Sequence, residues 1–370
     1  MQRKRLLLFI AVIAVVTGIM LICVSRKESY ECIKTVVDMA EMGNEVPVEI
    51  AGFRENSSDN TEFFCVLGDQ GNLYVIEEDR EAFILKAYMP DAFQDIKIAN
   101  IAKGDYHMAA LDSNGMVYTW GSNSYGQLGN KSTDKYVKNA QSVEGISDVD
   151  KIYAGHHMTA LLKGNSSLYV WGAVNTNYQK DMEKNEPLIL NVDFSVSKVV
   201  DVDEELFILS RDMELWHWKA GELEKVNMAE KVDDIDSSGT GFLLRTVTGQ
   251  IYIYKDKFLE EGYESVVIDG LSFTHIAIPD HVHKINANSK NAVAYTDSDL
   301  YYIWGVRRNT SFLGFTSMGI EYYKNPVSFK MEDVKEYAVI GYGNIGVIDK
   351  DNRIIIYRNN ASGRDKEGKP

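Results

Sequence analysis

The sequence predicts an all-β protein, a seven-bladed β-propeller preceded by one N-terminal transmembrane helix. Three observations lead to this fold class: a long apolar segment at the N-terminus, an aromatic residue that recurs about every 50 residues, and a hairpin pattern around each recurrence. The 370 residues are 45% hydrophobic and 25% charged, which is typical of a folded protein. No proline-rich linker divides them, so we expect one continuous domain after the anchor.

The N-terminal segment has the composition of a membrane-spanning helix. Residues 6–24 carry no charge, and about 20 apolar residues are needed to cross the hydrocarbon core of a membrane. The segment ends in GIMLICVS, a poor cleavage site, so we prefer an uncleaved signal anchor to a cleaved signal peptide. Arg3, Lys4 and Arg5 give a modest bias toward a cytoplasmic tail at residues 1–5. We therefore expect a single-pass cell-membrane protein whose C-terminal domain lies outside the cytoplasm.

The chain after the anchor is strongly acidic. The formal net charge is −15, and the first 27 residues contain five basic residues and no acidic ones, so removing their charge leaves −20 for residues 28–370. A surface of this charge repels phosphate groups, which argues against a nucleic-acid partner. A basic or neutral protein partner is compatible with it.

Between the anchor and the propeller we predict a juxtamembrane stalk at residues 25–45. Its apolar positions have the spacing of a short helix: Ile33, Val36, Val37, Met39 and Met42. Residues 46–53, VPVEIAGF, are the candidate strand that completes the last blade and so closes the propeller. Cys32 and Cys65 are too few for a disulfide framework, and whether they pair stays open.

A repeat is visible in seven segments: GNLYVIE, GMVYTWG, SLYVWG, MELWHWK, GQIYIYK, LYYIWG and RIIIYR. Their shared position is occupied by Ile76, Trp120, Trp171, Trp218, Tyr254, Trp304 and Tyr357. An apolar strand and a turn precede the segments, so we predict that each is the second arm of a hairpin. Blades built from such hairpins must stack radially to bury their faces, and we interpret the recurring residue as packing between blades. The predicted propeller covers residues 46–358, followed by a flexible tail at 359–370.

Two of these segments resemble a known family. YTWGSNSYGQLGN at 118–130, preceded by IAKGDYHMAAL at 101–111, closely resembles the repeat of the regulator-of-chromosome-condensation family; the resemblance is good at 149–172 and moderate at 282–315. It implies a seven-bladed propeller, here in a membrane-anchored, bacterial-type member. The repeat's structural residues are then Gly104, His107, Trp120, Gly121, Gly126, Gln127, Leu128, Gly129, Gly155, His157, Trp171, Gly172, Trp218, Tyr254, Trp304, Gly305, Gly341 and Tyr357.

Several motifs invite a chemical interpretation, and each has a structural one that we prefer. GYGNIG at 341–346 matches a dinucleotide-binding pattern, but a hairpin rather than a helix is predicted after it. HVHK at 281–284 offers two histidines on one side of a strand, but no cysteine and no further histidine lies nearby in the sequence to complete a tetrahedral set. His107 and His157 precede the similar strands MAAL and MTAL, so both are interpreted as the repeat's core or interblade histidine rather than as general bases. We predict no enzyme activity and no catalytic residue, cofactor or metal site.

The remaining hypothesis is a protein-binding scaffold. Loops after the recurring residue vary most, and binding residues concentrate on loops held by a rigid scaffold. Exposed tyrosine and arginine are typical contact residues, so the candidates are Tyr125, Tyr178, Arg307, Arg308 and Tyr322. The family also includes exchange factors for GTPases, which would require a cytosolic domain, and a secreted enzyme inhibitor. A glycan or cell-wall component is a further alternative partner, indicated by the aromatic-rich loops.

Overall fold

The computed structural model describes residues 32–54, 62–79, 84–174, 186–237, 241–255, 263–288, 291–308, 320–340 and 344–359. Over these residues the chain forms seven antiparallel sheets, which are the blades of a seven-bladed β-propeller. The predicted anchor at residues 6–24 lies outside the described residues. Within the described part, no helix has both the length and the apolar character needed to cross a membrane.

The first four blades each contain four strands in sequence order. Blade 1 consists of β2 (Pro47–Arg54), β3 (Glu62–Gly68), β4 (Leu73–Asp79) and β5 (Ile84–Tyr88). Blade 2 consists of β6 (Ile98–Lys103), β7 (His107–Asp112), β8 (Val117–Ser122) and β9 (Tyr136–Ser142). Blade 3 consists of β10 (Lys151–Ala154), β11 (Met158–Lys163), β12 (Ser167–Gly172) and β13 (Leu188–Asn191). Blade 4 consists of β14 (Val196–Val202), β15 (Glu205–Ser210), β16 (Leu215–Lys219) and β17 (Glu222–Val226).

The last three blades depart from this plan in two places. Blade 5 has five strands, β18 (Val232–Ser237), β19 (Phe242–Thr246), β20 (Ile251–Tyr254), β21 (Ser265–Ile268) and β22 (Leu271–Ile276), with β21 outermost. Blade 6 consists of β23 (Val282–Ala287), β24 (Asn291–Thr296), β25 (Tyr301–Arg308) and β26 (Ile320–Phe329). Blade 7 consists of β27 (Val334–Ile340), β28 (Asn344–Asp349), β29 (Ile354–Asn359) and, from the N-terminal side, β1 (Cys32–Val36). Two 3₁₀ turns, Ala40–Met42 and Asp91–Phe93, are the helical elements of the described residues.

The recurring residue packs between blades, as predicted. All seven side chains at this position lie in third strands and are between 2% and 7% exposed. Trp171 of blade 3 packs in one apolar cluster with Ala109 and Leu111 of blade 2. Ile76 of blade 1 shares another cluster with Ile356 of blade 7. The described core divides into seven such clusters, each joining two consecutive blades around the ring.

The strand that closes the ring is not the one predicted. β1 pairs antiparallel with β29, with Lys34 opposite Tyr357, so residues that we predicted as a stalk helix form the outermost strand of blade 7. The predicted closing strand, residues 46–53, instead belongs to β2, the first strand of blade 1. The prediction failed because a short apolar run fits a helix or a strand equally well by periodicity. Cys65, whose pairing was left open, is buried with a free thiol.

Introducing a carboxylate at a buried or at an exposed residue near the end of β1 tests this closure. Val37 is buried in the cluster that joins blades 7 and 1, and its N–H donates to the Ile354 carbonyl oxygen at 2.9 Å, whereas Val36 is exposed. We expect Val37→Asp to lower the free energy of unfolding by about 2 kcal/mol or more, because it buries an unpaired carboxylate. Val36→Asp, the matched control, should change it by no more than about 0.5 kcal/mol. Urea titrations of the purified full-length chain, followed by tryptophan fluorescence, would measure both; equal effects would contradict closure by β1.

Candidate functional site

Four of the five predicted contact residues lie within the described residues, and the direction of the strands determines at which end of the propeller each one lies. Successive strands of a blade are antiparallel, so the connection from first to second strand and the connection from third to fourth strand emerge at the same end. We call this end the upper face, and the opposite end the lower face. Tyr125 lies in the third-to-fourth connection of blade 2, and Tyr178, in the equivalent connection of blade 3, falls outside the described residues.

The other three candidates lie in strands rather than in a loop. Arg307 and Arg308 end β25, and Tyr322 lies in β26, where its backbone is opposite Val306. The register shifts between Ile303 and the next pair, an irregularity that allows the two strands to continue toward the upper face. The predicted loop after the glycine of YIWG therefore begins too early, because β25 continues to Arg308.

The glycine-rich loop of blade 2 is held rigidly by its own polar groups. The Asn123 side chain accepts a hydrogen bond from the Leu128 N–H at 3.2 Å, and the Thr119 hydroxyl donates to the Leu128 carbonyl oxygen at 2.6 Å. Gly126 and Gly129 have φ values of 71° and 64°, which favour glycine. Gln127 and Leu128 are fully buried beneath the loop. The sequence GQLG is therefore the anchor of a fixed loop that presents Tyr125.

This loop also explains why its last residue, Gly129, is a glycine. A Cβ atom added to Gly129 of blade 2 would stand 2.9 Å from the Trp171 ring of blade 3. The loop of one blade thus lies directly against the recurring tryptophan of the next, a contact that leaves no room for a side chain.

Tyr125 belongs to a cluster of four rings that spans blades 2 and 3. Its ring stacks on His157 with centroids 4.1 Å apart and an interplanar angle of 25°. The Tyr106 ring is also stacked with the His157 ring, with centroids 6.3 Å apart. The centroid of the His156 ring lies 3.8 Å from that of His157. Tyr125 is 37% exposed, so it offers a ring face to solvent. We call Tyr106, Tyr125, His156 and His157 the ring cluster.

Two buried carboxylates support the ring cluster from below. Asp105 of blade 2 is hydrogen-bonded to Nδ1 of His156. Asp201 of blade 4 accepts the backbone N–H groups of His156 at 2.6 Å and of His157 at 3.0 Å. Burial alone would lower the pKa of His156, but the hydrogen bond and charge of Asp105, with the charge of Asp201, raise its pKa above the ordinary value. Burial raises the pKa of Asp201 to about 6, although His156 opposes this shift.

The other two histidines of this region are held neutral. Burial, and then the charge of His156, lowers the pKa of His157 to about 4. Burial, and then the charge of His157, lowers the pKa of His107 to about 3. His107 is fully buried, and its Nε2 hydrogen-bonds the Thr159 hydroxyl of blade 3 at 3.0 Å. His107 therefore connects two blades, whereas His156 is the histidine of this region whose imidazolium form is favoured.

The prediction that His107 and His157 occupy equivalent positions of the repeat is wrong. His107 lies opposite Gly121 in blade 2, and the residue opposite the equivalent Gly172 in blade 3 is Met158. His157 therefore occupies the position of Tyr106, not that of His107, and it precedes the strand instead of beginning it. The prediction aligned the strands MAAL and MTAL and missed an offset of one residue.

Sequence reasoning also missed Asp105, His156 and Asp201. Asp105 and His156 each follow the turn glycine of their repeat, Gly104 and Gly155, so an alignment anchored on the glycines would have placed an acid and a histidine in equivalent positions of adjacent blades. No local pattern marks Asp201, which reaches the cluster from another blade.

Blade 4 contributes to the upper face a buried carboxylate that is hydrogen-bonded by neighbouring basic side chains. Glu205, at the position of His107, accepts hydrogen bonds from His217 Nε2 at 2.9 Å and Lys219 Nζ at 2.6 Å. Burial raises the pKa of Glu205, but these donors, together with Lys255, lower it overall. Asp203 and Glu204, in the turn before it, are exposed. The upper face of blades 2 to 4 therefore combines ring faces with carboxylates, a combination that binds cationic groups.

The motifs GYGNIG and HVHK, which resemble a dinucleotide site and a metal site, lie outside the upper face of blades 2 to 4. Residues 341–343 of GYGNIG are outside the described residues, and the strand β28, rather than a helix, begins at Asn344. His281 and His283 lie at the lower face, where β23 begins.

The fold and its upper face define a class: a seven-bladed propeller with tryptophan-glycine packing between blades. The chain carries repeats of this class, since two family models described as "Regulator of chromosome condensation (RCC1) repeat" match residues 98–127 and 114–162. A probable E3 ubiquitin-protein ligase HERC6 from Homo sapiens is 31% identical over 132 residues, which are 35% of this chain and 13% of the relative. The regulator of chromosome condensation from Mus musculus is 29% identical over 179 residues, 45% of this chain and 41% of the relative. The chain thus spans less than half the length of both.

Solved structures show the same fold at lower identity. Human WBSCR16 superposes with a TM-score of 0.58 at 16% identity, covering 85% of this chain and 87% of that one. Yeast RCC1 (Prp20), in a structure with Kap60 bound, gives a TM-score of 0.55 at 14% identity, covering 93% and 97%.

An alanine substitution tests the loop contact. Gly129 and Gly145 both have a positive φ, 64° and 79°, but a Cβ atom on Gly145 would meet nothing within 4 Å. We expect Gly129→Ala to lower the free energy of unfolding by about 1 kcal/mol more than Gly145→Ala, because only the former also displaces the Trp171 ring. Urea unfolding of both variants measures the difference; an equal loss would show that the loop does not pack against Trp171.

The protonation of the three histidines gives a second test. In carbon–proton NMR spectra of histidine-labelled protein, we expect His156 to titrate above the ordinary histidine value of about 6.5, with His157 and His107 still neutral at pH 6. Asp105→Asn should shift the His156 titration to lower pH, because it removes the charge and the acceptor that favour the imidazolium. Substituting each histidine in turn assigns the signals. A neutral His156 at pH 6 in the wild-type protein would contradict the ring-cluster electrostatics.

Proposed function

We propose that this chain is an extracytoplasmic protein-interaction scaffold, anchored in the cell membrane by residues 6–24, and that its upper face at blades 2 to 4 binds a basic segment of a partner protein. The observation that carries this proposal is the ring cluster. Tyr125 is exposed on a fixed loop and stacks on His157, and the neighbouring His156 is hydrogen-bonded to the carboxylate of Asp105.

The chemistry of this face supports a cationic ligand. A lysine or arginine side chain can lie over an exposed aromatic ring, an interaction that contributes about 0.5–2 kcal/mol, and can pair with a nearby carboxylate. Glu204, exposed in the neighbouring blade, provides such a carboxylate; Asp203, also exposed, already lies 3.5 Å from the Lys255 ammonium. The charge of −20 over residues 28–370 would also accelerate the approach of a basic partner.

The solved neighbours support a protein partner in particular. Yeast RCC1 is described with Kap60 bound, and the structure of Prp20p is described together with its binding to Gsp1p and histones. Propellers of this fold therefore present surfaces that bind proteins. No comparable observation on the described upper face favours the glycan alternative, which rests on aromatic content alone.

A second candidate is a regulator of a GTPase by nucleotide exchange. The similarity to the mouse regulator of chromosome condensation over 45% of this chain favours it. It requires the propeller to face the cytosol, so membrane topology separates the two candidates.

Crosslinking on intact cells tests the function and the topology together. The full-length chain would be exposed to a membrane-impermeant crosslinker, and captured proteins would be identified by mass spectrometry. We expect one dominant basic protein, with its capture reduced at least about tenfold by Tyr125→Ala, because loss of a central aromatic contact residue costs about 2 kcal/mol or more and about 1.4 kcal/mol is tenfold. Tyr125→Phe should keep most of the affinity, because it retains the ring.

The control is Val267→Ala on the outer edge strand of blade 5, where the side chain is 70% exposed and far from the ring cluster in the fold. Equal capture by Tyr125→Ala and this control would contradict binding at the ring cluster. Labelling of the propeller only after the cells are opened would contradict display outside the cytoplasm and favour the GTPase candidate.

A further inference from the structure

The two histidines of HVHK acquire a third neighbour at the lower face. Asp297, directly after β24, lies beside the start of β23, with one carboxylate oxygen 3.1 Å from His283 Nε2 and the other 3.5 Å from His281 Nδ1. One ligand-capable atom from each of the three residues lies within 4.8 Å of the others. Asp297 follows His283 in the chain only after the whole of β24, so no short motif contains all three residues.

The spacing of these atoms fits a tetrahedral metal centre. Zinc binds imidazole nitrogen and carboxylate oxygen at 2.0–2.2 Å, and two ligands at a tetrahedral angle are then about 3.4 Å apart. The distance of 3.1 Å between His283 Nε2 and one Asp297 oxygen, and the distance of 3.5 Å between His281 Nδ1 and the other oxygen, are close to this value. The third pair, one nitrogen of each histidine, lies within 4.8 Å, so a small rotation of the exposed imidazole rings completes the set. Two histidines and one carboxylate are a ligand set that zinc commonly uses when the fourth position is left open.

The backbone fixes this geometry from both strands. The Asp297 N–H donates to the His281 carbonyl oxygen at 3.0 Å, which places the two residues opposite each other. The Asp280 carboxylate accepts the His281 N–H with one oxygen and the Ser298 N–H with the other, both at 2.9 Å. The site is therefore held in place before any metal binds, which lowers the ordering cost of binding.

We propose that His281, His283 and Asp297 form a zinc site on the lower face of blade 6, with an open fourth position for water. The three side chains are between 43% and 54% exposed, so the ion reaches them directly from solvent. The acidic chain favours cation binding in general, and these two imidazoles give selectivity for zinc over magnesium or calcium, which prefer oxygen ligands. The site lies at the opposite end of the propeller from the ring cluster and does not depend on the function proposed there.

Titration of the full-length chain, purified without a histidine tag, tests the site. Zinc chloride added to the metal-free protein in a calorimeter should show saturable binding of one ion per chain, and magnesium chloride should show none. Loss of a residue that merely orients a ligand already costs 10- to 100-fold in affinity, so we expect His283→Ala to weaken zinc binding at least about tenfold. Asp297→Asn should weaken it in the same direction.

His275→Ala is the matched control. His275 is also partly exposed, and its Nε2 hydrogen-bonds Gln250 at 2.9 Å in blade 5. Unchanged zinc binding by this variant, with loss in His283→Ala, would support the site; matching circular dichroism spectra would show that both variants fold. Absence of saturable binding by the wild-type chain, or equal binding by His283→Ala and His275→Ala, would overturn the proposal.

Discussion

The structure depends on the burial of blade faces against neighbouring blades. A propeller sheet has apolar side chains on both faces, so a blade with an uncovered face would expose a row of them to water. Phe207 of blade 4 illustrates this constraint: it is fully buried, and its ring contacts Phe242 and Tyr254 of blade 5. Because each blade must be covered on both faces, blade 7 has to pack against blade 1. β1 stabilises this closure, since it pairs a segment from the N-terminal side of the chain with β29 in the sheet of blade 7.

The same stacking determines where chemistry arises. Equivalent positions of adjacent blades lie close together. When two neighbouring copies of the repeat carry polar or aromatic residues at the same position, their side chains therefore come into contact. Asp105 and His156 are such a pair, and Tyr106 and His157, their chain neighbours, stack for the same reason. The ring cluster is thus a consequence of repeat geometry combined with divergence of the turn after the glycine.

The features that were predicted correctly from the sequence are those that a local residue pattern specifies. All seven third strands and their hairpins were correct, because alternation and turn residues specify them over about ten residues. The sequence did not predict β1, whose partner β29 lies more than 300 residues away in the chain. The same limit applies to the sites: His156 and Asp201 are 45 residues apart, and Asp297 follows β24 whereas His281 precedes β23. Such contacts depend on how blades stack and on register, neither of which a local pattern contains.

One inner strand connects the two proposed sites. β23 begins beside the histidines of the lower face and ends at Ala287, whose carbonyl oxygen accepts a hydrogen bond from the Lys103 ammonium of blade 2. Lys103 lies two residues before Asp105, so an unbroken chain of contacts crosses the propeller axis. Coupling would require an element with two arrangements that both ligands bias. β23 instead pairs with β24 from Val282 to Ala287, with one register shift at His283, and the Ala287 N–H donates to the Asp236 carboxylate of blade 5 at 2.8 Å. A connection of this rigidity positions both sites without linking their occupancy, so zinc and a partner protein should bind independently.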